Sequence, residues 1–302
     1  MTEKKPVSYH FLLILLAASL WGTAGIFVRT AERAGLSEMQ VVFIRALFSC
    51  VLLGGITLFK GRRLFRIALR DLPLFAGSGI FSIVMFNFCY YKTMALTSLS
   101  VAAVLLYTAP FFVVILSVFL FHERLTLKKC AACIVAFIGC CLVTGVFGSG
   151  TKLTAAAIGF GVLTGFGYAL YTIFGRLLLD RGYASLTITF YTFLFALIGC
   201  LPFVSLPGVF SVVLSGWPAF QNALWMAVLN TVAPYLFYTA GLKGVSPSAA
   251  PVIAMAEPVV ATLIGAAFFR ERVTVMGGAG IALVVASVAV LNLKTEKRHE
   301  TA

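Results

Sequence analysis

Ten times along this chain an apolar run of about 20 residues is followed by a short polar interruption. That pattern leaves few folds open. About 30 Å of hydrocarbon takes about 20 helical residues to cross, and lipid offers no partner for an unpaired backbone group. The runs predict membrane-spanning helices at 10–29, 38–59, 72–92, 98–121, 127–146, 155–178, 184–206, 217–242, 246–269 and 274–293. Composition agrees: of 302 residues 61% are hydrophobic and 11% charged, and the mean hydropathy is +1.04. Soluble globular domains carry roughly 25% charged residues. The expected class is therefore all-α, a polytopic membrane protein. The first run resembles a signal peptide in length, but Ala17–Gly22 has no convincing cleavage site and nine similar runs follow, so it is read as a retained span. Cys50, Cys89, Cys130, Cys133, Cys140, Cys141 and Cys200 lie in or beside apolar runs, which argues against a disulfide framework or a metal cluster.

A formal charge of +13 would suggest nucleic acid as the partner of a soluble protein. Here the basic residues sit between apolar runs, so their partner is the anionic bilayer and no nucleic acid is implied. With a cytoplasmic N-terminus, sixteen fall inside: Lys4, Lys5, Lys60, Arg62, Arg63, Arg66, Arg70, Arg124, Lys128, Lys129, Arg176, Arg181, Lys243, Lys294, Lys297 and Arg298. Six fall outside, namely Arg29, Arg33, Lys92, Lys152, Arg270 and Arg272, with Arg45 alone inside a span. The bias places both termini in the cytoplasm.

Self-comparison divides the chain. Shifted by 148 residues, Tyr90–Thr126 matches Tyr238–Thr274 at ten identical positions, among them Pro110 with Pro258 and Glu123-Arg124 with Glu271-Arg272. Shifted by 147, Phe27 meets Phe174, Arg29 meets Arg176, Gly35 meets Gly182 and Phe43 meets Phe190. Two copies follow, 1–148 and 149–302, each of five helices. An odd number makes the second copy enter the membrane from the opposite side. That is the inverted-repeat plan of secondary transporters, in which a central site is exposed alternately to two faces.

The stretch Tyr107–Thr126, YTAPFFVVILSVFLFHERLT, and its partner Met255–Thr274, MAEPVVATLIGAAFFRERVT, resemble the paired signature of the EamA family within the drug/metabolite transporter superfamily. The resemblance extends to Trp21-Gly22 in span 1 and to Arg45 in span 2. It implies a ten-helix carrier of the cytoplasmic (cell inner) membrane, usually an exporter of amino acids, related metabolites or toxic organic compounds. Its substrate is a small molecule, and no cofactor is implied. Other branches of the superfamily import choline-like cations or move nucleotide sugars, so an importer of an organic cation is the alternative reading.

Candidate working residues are polar or aromatic groups within the apolar runs. Pro110 and Pro258 lie near the middle of spans 4 and 9. Each removes an amide donor, weakening the bond to the carbonyl of Leu106 or Ala254, and is expected to kink its helix. Glu257 is the acidic residue placed deep in a span, where a carboxylate needs a cation, a proton or a polar interior. It could bind a cationic group, carry a coupling proton, or hold a structural partner. Arg45 could take a substrate carboxylate by bidentate hydrogen bonds or snorkel to the interface. Trp21 and Tyr168, 147 apart, suit a chamber wall, and Tyr90 and Tyr238, 148 apart, suit gates near opposite faces. Their rings offer broad contact and attraction for organic cations, against the background of a chain that is 14% aromatic. Asn87, Tyr107, Tyr171, Tyr191 and Asn230 complete the set.

Thr126 and Thr274, each preceded by a Glu, are expected to cap spans 5 and 10. Gly161–Gly165 and Ala18–Gly22 are small-residue pairs for close helix packing. Lys92 reads as an interfacial lysine. Cys130-x-x-Cys133 has no second ligand pair, and His10, His122 and His299 lie at ends or loops. Phosphate-binding loops, zinc-protease helices and a serine with a nearby base are not found in the sequence. A membrane-embedded lipid-modifying enzyme would need paired acids or histidines at the interface, whereas Asp71 and Asp180 stand singly in basic loops. The reading is a transporter and not an enzyme.

Overall fold

The computed structural model describes residues 7–146, 153–271 and 273–293. Lys4, Lys5, Lys152, Arg272, Lys294, Lys297, Arg298 and His299, and the boundary expected at 148/149, lie outside the described residues. Every element among the described residues is helical. Among the described residues nine helices are long and apolar enough to cross a membrane: Tyr9–Arg33, Glu38–Lys60, Leu69–Leu96, Leu99–Phe121, Leu127–Thr144, Ala155–Asp180, Ser185–Phe203, Trp217–Gly241 and Ala250–Phe268. A tenth apolar helix, Val275–Leu291, is shorter. These are spans 1 to 10, and each falls on one of the runs read from sequence. Span 9 begins at Ala250, later than the run at 246, because Ser246–Ala249 forms a turn. The run at 184–206 ends early, and Leu206–Val213 is a separate short helix before span 8.

Consecutive spans run antiparallel. We call the side on which span 1 begins the near face and the other the far face. Near-face contacts join the loop after span 2 and the start of span 3 to the loop after span 6 and to span 7: Tyr183 donates to Asp71 (2.6 Å), Arg181 pairs with Asp71, and Tyr191 donates to the Phe65 carbonyl (2.7 Å). Asp180 pairs with Arg176 at 2.9 Å. The two aspartates that stand singly in sequence are thus each ion-paired once the loops meet.

Spans 5 and 10 pack most closely, through glycines. A side chain on Gly280 would come within 2.6 Å of the Gly139 carbonyl, and one on Gly139 within 2.9 Å of the Gly280 carbonyl. Between apolar helices in lipid, such close approach replaces the hydrophobic driving force available in water. The small-residue pairs behave alike: Gly22 lies against Val260 and the Glu257 carbonyl, and Gly165 against the Leu105 carbonyl. Thr126 and Thr274 cap their spans, accepting from Lys129 N (3.3 Å) and Gly277 N (3.0 Å).

Gly280→Leu therefore forces spans 5 and 10 apart at a cost of about 1–3 kcal/mol. The melting temperature of the purified variant is expected to fall by several degrees, while Gly278→Leu, at a position with nothing within 4 Å, leaves it nearly unchanged.

Candidate functional site

Five interruptions break the helical regularity, and all lie inside spans. Span 1 is broken at Thr23, between Val7–Gly22 and Ala24–Arg33. Span 4 breaks at Tyr107–Thr108 and span 9 at Met255–Ala256, each just before the segment carrying Pro110 or Pro258. The kinks expected from sequence are present, at matched positions. Sequence reasoning missed a second matched pair. Spans 3 and 8 contain π-helical turns, Ile80–Met85 and Val228–Val232, whose starts are 148 residues apart. Such turns widen the helix and free carbonyls for other partners.

Polar side chains, most of them from other spans, gather at these interruptions. Asn230, in the π turn of span 8, donates to the Leu20 carbonyl and to Thr23 Oγ1, both at 2.8 Å, at the break in span 1. Arg45 of span 2 donates to the Asn230 carbonyl (3.1 Å) and to Thr231 Oγ1 (3.0 Å). In the second copy Thr192, the counterpart of Arg45, bonds Ser78 beside the other π turn at 2.6 Å. Thr108 Oγ1 donates to Leu105 O (2.6 Å) at the break in span 4. Cys140 Sγ lies 4.0 Å from Met255 O at the break in span 9.

Around these breaks the aromatic residues form a continuous ladder. Trp21 meets Tyr238 (5.5 Å between ring centroids), Tyr235 (5.2 Å) and Tyr168 (6.4 Å). Tyr168 meets Phe86 (5.6 Å), which meets Tyr90 (6.2 Å). Tyr90 lies toward the far-face end of span 3 and Tyr238 toward the near-face end of span 8, so the ladder runs from one to the other. Tyr171 packs on Tyr235 at 4.8 Å and bonds Thr239 at 2.7 Å; Tyr238 bonds Thr172 at 2.7 Å. Tyr235, Phe86 and Thr231 were not singled out from sequence. In a chain so rich in aromatics, composition gives no sign of which rings converge.

Glu257 opens the second segment of span 9 and sits where the ladder passes. Its charge acts on Tyr90, Tyr107, Tyr168, Tyr235 and Cys140, and the field of Arg45 reaches it. Among the described residues, none donates a hydrogen bond to its carboxylate or pairs with it. Glu257, Arg45, Trp21, Tyr90 and Tyr168 all keep partial exposure although each lies within a span. Two of the expected residues stand apart. Asn87 is buried and donates to the Ile83 carbonyl of its own span (2.8 Å), and Tyr191 belongs to a near-face cluster with Phe75 and Ile188. Lys92 is exposed, 5.6 Å from the Phe88 ring. A cavity of about 390 Å³ opens on the far face between spans 1, 2 and 8, with Ile44, Ala223 and Met226 in its wall.

The two faces are tied differently. On the near face Glu123 pairs with Lys129 and accepts from Ser248 Oγ (2.5 Å) and Ser248 N (3.3 Å), joining the end of span 4 to the turn before span 9. Burial alone would raise the Glu123 carboxyl, but the Lys129 ammonium and the Ser248 hydroxyl outweigh it and hold the group below the usual glutamate range. On the far face Arg29 pairs with Glu271 at 3.3 Å.

A sequence profile described as the EamA-like transporter family matches this chain twice, over residues 9–145 and 155–293. An uncharacterized transporter of Archaeoglobus fulgidus is 28% identical over 286 residues, covering 93% of this chain and 96% of that protein. The uncharacterized transporter YxxF of Bacillus subtilis is 24% identical over 95% of this chain and 91% of its own length. The uncharacterized inner membrane transporter YicL of Salmonella typhimurium is 25% identical over 96% and 97%. One solved crystal structure superposes with a TM-score of 0.78 at 16% identity, covering 97% of this chain and 99% of that one, a likeness of fold.

Two outcomes follow from the geometry. Asn230→Leu leaves the Leu20 carbonyl to Thr23, which also donates to it through N (3.1 Å) and Oγ1 (2.7 Å), but removes the tie between the break in span 1 and the π turn of span 8; the loss of these hydrogen bonds costs about 0.5–1.5 kcal/mol, read as a lower melting temperature. Glu123, whose folded carboxyl titrates below its unfolded value, contributes stability that is fully present above about pH 4.3 and lost as the pH falls through the folded value. The melting-temperature gap between the parent and Glu123→Gln is expected at pH 7 and should close under acid; a gap that widens with acid contradicts this.

Proposed function

The chain belongs to the EamA-like transporter family, and we propose that it is a secondary carrier of the cell membrane that exports amino acids or small amphipathic metabolites by alternating access. Both termini lie in the cytoplasm on this reading, so the near face, which carries most of the basic residues, is the inner one. The far-face cavity, walled by Ile44, Ala223 and Met226, is then an outer vestibule.

One observation carries the proposal. Glu257 is a carboxylate at mid-depth without a bonded partner among the described residues, enclosed by tyrosines and Trp21 beside a broken helix. A charge so placed costs about 2.5–3.5 kcal/mol even on the lenient insertion scale, which a structural role would not leave uncompensated. A proton or a cationic group of the substrate supplies the compensation. Arg45 is engaged by Asn230 and Thr231, which leaves Glu257 as the charge available to solute. The site thus suits a molecule with an ammonium group and an apolar body, since aromatic faces attract such cations. An importer of an organic cation would use the same site, and the direction of flux separates the two.

Purified protein is screened by thermal shift against amino acids, amines and related metabolites, and hits are tested for flux in liposomes. Glu257→Gln keeps shape and hydrogen-bonding capacity while removing the titration. It is expected to melt close to the parent and to lose flux, or the pH dependence of flux, for a hit. A fully active variant with an unchanged pH profile rejects the assignment.

A further inference from the structure

The repeat pairs residues across the two halves: Arg29 with Arg176 at an offset of 147, and Glu271 with Glu123 and Ser248 with Ser100 at 148. Their contacts in the structure are not equivalent. On the far face Arg29 of span 1 reaches Glu271 beyond the end of span 9, Nη1 to Oε1 3.3 Å, with both side chains about half exposed. The corresponding pair on the near face, Arg176 with Glu123, is not made. Arg176 instead holds Asp180 (2.9 Å) and the Leu242 carbonyl (3.1 Å), while Glu123 holds Lys129 and Ser248.

An inverted repeat in a single conformation has two non-equivalent halves. Exchanging the conformations of the halves generates a second arrangement of the same chain, with the opposite face rearranged. Applied to these contacts, the exchange gives Arg176 the position Arg29 now occupies and gives Glu271 the position of Glu123. We propose that Arg29, Glu271, Arg176 and Glu123 form a reciprocal latch: in the second conformation Arg176 pairs with Glu123 on the near face, while Glu271 leaves Arg29 for Ser100 on the far face. The inference deepens the carrier reading and rests on it, naming the side chains that set the balance between its two states. Both sets of partners are present. Each carboxylate has a hydroxyl and a guanidinium to choose between, and each lies just beyond the helical segment that follows the break in span 4 or span 9. The four are positioning residues and are distinct from the Glu257 chamber.

Two cysteine pairs test the latch, Arg29→Cys with Glu271→Cys and Glu123→Cys with Arg176→Cys. They are placed in protein whose partly exposed thiols Cys50 and Cys130 are changed to serine, linked with a short bifunctional reagent and mapped by mass spectrometry. Each pair is expected to link when introduced alone. In the four-cysteine protein a molecule holding one link should lack the other. Glu271→Gln, which removes the far-face pair, should raise the 123/176 yield roughly two- to fivefold, the effect of losing one exposed ion pair. Both links in the same molecule, or no 123/176 link in either background, overturns the proposal. Because Arg176→Cys also frees the Leu242 carbonyl, a second measurement keeps all four residues in place. Spin labels at Leu125 and Leu179 should report two distances whose weights change with Glu271→Gln; one unchanging distance also overturns the latch. Flux of a hit in the same Glu271→Gln protein separates the two ideas. Transport with one unchanging distance defeats the latch alone, whereas exchanging distances without flux of any hit defeats the carrier reading alone.

Discussion

A helix in hydrocarbon can be interrupted only where something replaces the backbone hydrogen bonds it gives up. This protein interrupts spans 1, 4 and 9 and loosens spans 3 and 8, so much of its interior chemistry is replacement. Asn230 serves the break in span 1, and its own carbonyl, offered by the π turn, is taken by Arg45. Three spans are thereby held by two side chains. The arrangement is polar, buried and nearly satisfied; the remaining orphan in it is Asn230 Oδ1. Removing one member of such a network costs more than a single bond, because its partner is left without water.

Glycine contacts bring spans 1 and 9, 4 and 6, and 5 and 10 together at the level of the backbone, and the aromatic ladder of Trp21, Tyr168, Phe86 and Tyr90 lies among the interrupted spans. A rigid frame beside bendable helices is what rocking one repeat against the other requires. The near face is laced by Asp71, Arg181, Tyr183, Glu123 and Ser248, whereas the far face carries the more exposed Arg29–Glu271 contact.

Much of this was legible in the sequence, for physical reasons that differ by element. The spans follow from hydropathy, because lipid admits few alternatives to a helix. The breaks in spans 4 and 9 follow from Pro110 and Pro258, because proline cannot donate, and the Thr126 and Thr274 caps follow from local geometry. The π turns were not legible. Pro234 follows one of them and Phe86 stands at the same place after the other, so no shared residue type marks the pair. Nor could sequence assign Arg45 to Asn230 and Thr231, since that contact joins residues nearly two hundred positions apart through the packing of spans 2 and 8. Tyr191 and Asn87 matched the pattern of polar groups in apolar helices, yet one faces a loop carbonyl and the other its own helix. Periodicity reports that a residue is inside, not which neighbours it meets.

The central claim is that Glu257 borders a chamber reached by protons and solute instead of being sealed among tyrosines. A hydrophobic carbodiimide modifies protonated carboxyl groups in apolar surroundings, and peptide mapping after treatment of the reconstituted protein locates the adduct. The account predicts modification at Glu257 that increases as the pH falls and is suppressed by a transported solute. Modification that is absent at every pH, or indifferent to solute, would contradict it.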